Sequence, residues 1–84
     1  MNTETIDLII EKYPKIQSQR KTLEAMQAGT YCSHRTWGIG RIHSYDEIQN
    51  KIIIDFEEEN KIGHAMDPVF CLEKLNILSE ENIL

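Results

Sequence analysis

The sequence predicts an α+β fold: a helical N-terminal arm over residues 1–28, a small five-stranded antiparallel barrel over 29–78, and a short tail over 79–84. Three observations point to it. Up to Met26, apolar residues recur at three- and four-residue steps, the spacing of one helix face. After Gly29 the period falls to two, and the five β-prone runs that follow in about fifty residues demand a strongly bent sheet. Finally, 84 residues that are 40% hydrophobic and 27% charged make one ordinary globular core, not two.

The arm reads as two helical runs. Thr3 is placed as N-cap of the first, with Glu4 and Asp7 near its positive end. Ile6, Ile9, Ile10 and Tyr13 form its apolar stripe. Pro14 ends or kinks that helix, or opens the next at its first position, since it lacks the backbone donor a helix interior needs. The second run turns Ile16, Leu23, Met26 and Ala25 inward, and Gly29 is placed as its C-terminal cap. The stripe either packs on the β segment or docks a partner.

In the β segment, Thr30 to His34 is the first strand and Arg35-Thr36-Trp37-Gly38 a turn. Gly40 to Tyr45 alternates, with Ile42 on one face and Arg41 and His43 on the other. Lys51 to Phe56 puts Ile52, Ile54 and Phe56 on one face, and a polar turn over Glu57 to Lys61 leads to a strand from Ile62 to Met66. Asp67-Pro68 opens a helical turn with Val69, Phe70 and Leu72, and Leu75 to Leu78 is the last strand. Gly38 and Gly40 are assigned to the tight bend between strands.

Composition narrows the function. A net charge of −5 argues against coating nucleic acid or anionic lipid by bulk charge. No apolar run approaches a membrane span, and two cysteines make no disulfide scaffold, so a cytoplasmic protein with no membrane partner is expected. The charge deficit lies wholly in residues 30–84, where His34, Arg35, Arg41 and His43 form a basic island ahead of Asp46, Glu47, Asp55 and Glu57-Glu58-Glu59.

The run Gly29-Thr30-Tyr31-Cys32-Ser33-His34-Arg35-Thr36-Trp37-Gly38-Ile39-Gly40-Arg41-Ile42 resembles the opening strand pair of bacterial Tudor-like domains. That pattern occurs at the C-terminus of UvrD-like helicases and, more loosely, in CarD-type RNA polymerase-interacting domains. With Lys51-Ile52-Ile53-Ile54-Asp55-Phe56, Gly63-His64-Ala65-Met66-Asp67 and Leu72 to Leu75, the chain is more similar still to the Tudor-like module of extended Gre-type transcription elongation factors. The resemblance covers about residues 29–78 and implies a Tudor/SH3-like barrel that docks on RNA polymerase. It implies binding without catalysis, in transcription elongation. A Gre factor cleaves RNA through a long coiled-coil hairpin; here the helical stretch is short and broken at Pro14, so that activity is not carried over. No clear boundary follows Leu78, in keeping with a module of a longer protein.

The expected contact surface is Trp37 with Arg35 and Arg41, with Tyr31 or Tyr45 at its rim and His34 beside it. Trp37 either covers the open barrel end or projects as a partner anchor. An aromatic cage from Tyr31, Trp37, Tyr45, Phe56 and Phe70 is a further candidate, though alternation turns Phe56 inward. Cys32, His34, His64 and Cys71 lack the paired spacing of a zinc site, and no metal or cofactor is expected. Cys32 or Cys71 with His64 and Asp67 has no nucleophile elbow beside it, so no enzyme is expected either. The alternatives are a nucleic-acid-binding small barrel, using the basic island and exposed rings, or a structural spacer in a larger protein.

Overall fold

A computed structural model describes residues 2–78. The expected tail at 79–84 lies outside them. Helix α1 (Thr3–Lys12) is capped by Asn2, whose side-chain oxygen accepts from Thr5 N–H at 2.8 Å. The helix thus starts one residue earlier than a Thr3 cap would allow. Thr5, Ile6 and Ile9 are buried, and Ile10 and Tyr13 half-buried. Pro14 does both things its chemistry permits: α1 stops before it, and it opens a 3-10 turn, Pro14–Gln19, that runs into α2 (Arg20–Ala25). Ile16, Leu23 and Met26 are buried, but Ala25 is exposed because α2 ends there. Gly29 is not the helix cap. With φ of +91° it sits in a turn closed by Thr30 N–H donating to Gln27 carbonyl, and its own N–H reaches the Ile42 carbonyl at 2.7 Å.

The strands are β1 (Tyr31–His34), β2 (Gly38–Asp46), β3 (Lys51–Phe56), β4 (Lys61–Met66) and β5 (Leu75–Ile77). Each pairs antiparallel with its neighbours in the order β4-β3-β2-β1-β5. β4 and β5 are edges, so the expected closed barrel is instead an open sheet. Helix α3 (Pro68–Lys74) occupies the link between those two edges, and β5 has only three residues with which to pair. Register shifts at Ile42/Ser44 and Ile54/Phe56 mark bulges that bend the strands.

One face of the sheet carries Cys32, Ile42, Ile52, Ile54, Phe56, Met66 and Leu75, all buried with Cys71 of α3 and the apolar residues of the arm in one continuous core. The α1 stripe is therefore spent on the sheet. Tyr13 adds a polar tie: its hydroxyl donates to Asp67 Oδ2 at 3.1 Å, while Asp67 Oδ1 accepts from Val69 and Phe70 N–H and caps α3.

Gly40 is buried, and its role differs from the expected bend. A Cβ there would lie 2.6 and 2.7 Å from Phe56 ring atoms and 3.0 Å from Ile54 Cγ2. The missing side chain lets the Phe56 ring lie on the β2 backbone.

Candidate functional site

Period-two alternation leaves the second face of the sheet to Tyr31 and Ser33 of β1, Ile39, Arg41 and His43 of β2, and Ile53 and Asp55 of β3. These residues are exposed or half-buried, and the buried apolar residues of α1, α2 and α3 lie in the core on the opposite side. The register sets Tyr31 opposite Arg41 and Arg41 opposite Asp55. Arg41 Cζ lies 5.7 Å from the Tyr31 ring centroid, a cation–π contact that steadies both side chains. Ile39 is 44% exposed beside them. A depression of about 200 Å³ is lined by Tyr31, Ile39, Arg41, Asp55, Glu57 and Glu58. Its walls hold three carboxylates to one guanidinium. Asp55 is partly engaged, since its Oδ1 accepts from Gly63 N–H at 2.7 Å and anchors β4 next to the bulge.

The inner-face end of the sheet holds a different assembly. His34 stacks on Trp37 with centroids 4.1 Å apart and planes 12° from parallel. Phe56 and His64 meet Trp37 edge-on at 5.4 and 4.8 Å. Lys61 Nζ lies 5.0 Å from the Trp37 centroid. His34 Nδ1 accepts from the N–H groups of both Thr36 (3.0 Å) and Trp37 (3.2 Å), closing the β1–β2 turn. Burial, then the charges of Lys74 and His64, pull the His34 pKa below its ordinary value. Between this cluster and α3 runs a groove of about 350 Å³, walled by Trp37, His64, Met66, Val69, Phe70 and Glu73.

The expected contact residues thus fall in separate places. Tyr31 and Arg41 meet on the outer face. Trp37 and His34 pack together at the inner-face end, where Trp37 covers the core. Arg35 is exposed in the turn between β1 and β2. Tyr45 is turned the other way by the Ile42/Ser44 bulge, which pairs it with inward Ile52 and sets it by Asn2, Thr5 and Met26 of the arm. The basic island is split as well, with Arg41 and His43 on one face and His34 on the other, so it offers no single stripe for phosphates. Nor does the aromatic cage assemble: Trp37 and Phe70 share the groove, but Tyr31 is across the sheet and Phe56 is wholly buried.

Cys32 and Cys71 are core thiols, pushed by burial to about 11 and about 12, so neither supplies a thiolate at neutral pH. No group of three or more His, Cys, Asp or Glu among the described residues is arranged to hold a metal ion. No helix among them is long and apolar enough to cross a membrane. Ile39 is not among the expected contact residues, although its two-residue step from Arg41 places it on the same face. Comparison of the chain with family models, curated proteins and solved structures finds no match in any of the three.

Proposed function

We propose that the chain is a non-catalytic interaction module of the transcription machinery, a Tudor/SH3-like domain that docks on RNA polymerase through the outer face of its sheet. The observation that carries this is the Tyr31–Arg41 pair, an exposed aromatic braced by a guanidinium beside exposed Ile39, on a face that α1, α2 and α3 leave uncovered. Tyr and Arg dominate the residues whose loss costs protein interfaces most. The polymerase as partner rests on the similarity of residues 29–78 to Tudor-like modules of transcription proteins. The carboxylates of Asp55, Glu57 and Glu58 around Arg41 favour a protein surface of mixed charge over a polyanion, which they would repel.

Titration of the labelled protein with core RNA polymerase tests this. Tyr31→Ala and Arg41→Ala should each weaken binding about tenfold, the effect of truncating one interface anchor. Unchanged affinity in both variants, with the fold intact, removes this face. Affinity for DNA or RNA that falls steeply with salt replaces the polymerase with a nucleic acid.

A further inference from the structure

We infer that the Arg35–Thr36–Trp37 turn is a pH-sensitive latch: neutral His34 ties it closed through Nδ1, and a proton on that atom releases Trp37 from the inner-face groove. The inference is independent of what the outer face binds.

Geometry carries it. Two backbone N–H groups of the turn, from Thr36 and Trp37, point at one imidazole nitrogen. An imidazole nitrogen accepts only through its lone pair, so neutral His34 carries its proton on Nε2 and the latch is closed. When Nδ1 gains a proton, a third donor faces the two amides and both hydrogen bonds are lost together. These bonds hold the turn that carries Trp37, and the Trp37 ring stacks on the same imidazole.

The surrounding charges oppose an imidazolium there. Lys74 of α3 and His64 of β4 both act on His34 as cations. Lys61 of β4 already lies over the Trp37 ring, so the ring is not free to serve the imidazolium alone. Two acids stand further round: Glu58, beside Gly38, which pairs with His34, and Glu73, on the groove wall. Leu75 of β5 and Phe56 of β3 bring no charge, and exposed Arg35 follows His34 in the turn. Opening the latch removes one wall of the groove between β4 and α3, so acidification dismantles a cavity while the rest of the sheet persists.

Trp37 is the only tryptophan in the sequence, so its emission reports its own surroundings, and the variants below separate His34 from the neighbouring His64. From pH 7.5 down to 5.0, emission should shift reversibly to the red with a midpoint below about 6.5, the ordinary imidazole value. His34→Asn is the decisive variant. Its Oδ1 takes the place of Nδ1, accepts the same two N–H groups and cannot be protonated in this range, so the shift should vanish. His43→Asn should keep the transition, and His64→Asn should keep it with a higher midpoint because one neighbouring cation is gone. A flat wild-type profile, or the same transition in His34→Asn, overturns the latch. Should His34→Asn fail to fold, amide NMR of the wild type decides. The Thr36 and Trp37 amide protons must then move with the midpoint of the His34 ring, and amides that stay fixed overturn it.

Discussion

Gly40→Ala is a demanding test of how the core is built. Gly40 is buried on β2, paired with Cys32, and the Phe56 ring lies against its backbone. Carbon atoms rest in contact at roughly 3.5–4.0 Å. A methyl group at Gly40 would lie 2.6 and 2.7 Å from two Phe56 atoms, about 1 Å too close by that standard, and 3.0 Å from Ile54. Neither neighbour yields easily. Phe56 and Ile54 have no exposed area, and Phe56 lies edge-on against the stacked Trp37 and His34 rings. Overpacking of this kind costs about 1–3 kcal/mol, and the enclosure of the ring puts Gly40→Ala at the upper end. Urea denaturation at 25 °C should show a lower midpoint with an unchanged slope. Phe56→Leu in the Gly40→Ala background makes room for the methyl group, so a double-mutant cycle should return a coupling of about 1 kcal/mol or more. A Gly40→Ala protein within about 0.5 kcal/mol of the wild type, the range of an inert surface change, would refute this account of Gly40.

Three further outcomes follow from the same geometry. Gly63 has φ of +69° but open space around it, so Gly63→Ala should cost about 1–2 kcal/mol through backbone strain alone and show no coupling to Phe56→Leu. Tyr13→Phe removes the bond between arm and α3 cap and should lower the urea midpoint in the same denaturation assay, with helix content retained by far-UV circular dichroism. Cys32 and Cys71 have pKa values raised by burial to about 11 and about 12, against 9.0 for the free thiol. The unfolded chain therefore loses these protons first. Their contribution to stability is complete below pH 9 and is lost as pH rises towards 11 and 12, which urea midpoints across that range will show, and Cys71→Ala should flatten the slope.

Much of the fold is legible where one pattern dominates. Alternation through Ile52, Ile54 and Phe56 places β3 at its observed bounds, and the ring of Pro14 determines both the end of α1 and the start of the next turn. The misreadings arise where several effects compete. Asn2 and Thr3 are both good caps, and only the bond to Thr5 N–H distinguishes them. Two glycines two residues apart look like a bend, yet Gly40 is needed for close packing by a ring sixteen positions away. Closure of the barrel depends on two edges meeting, and no local pattern reveals that β4 and β5 stay unpaired. The site follows the same rule. The outward face of Arg41 is readable from alternation, and Tyr31 joins it by register. Trp37, only four residues before Arg41, ends on the opposite face because the turn intervenes. Tyr45 changes face because a bulge inserts one extra residue, a shift that leaves no mark in a single sequence.

The proposed docking of RNA polymerase on the outer face of the sheet is tested most directly by amide hydrogen exchange with and without core RNA polymerase. Amides of β1 and β2 around Tyr31, Ile39 and Arg41, together with the Asp55–Glu58 segment beside them, should exchange more slowly in the complex. Amides of the exposed side of α1 should be unchanged. Protection confined to α1 or to the groove beside α3, or no change anywhere at saturating polymerase, would contradict it.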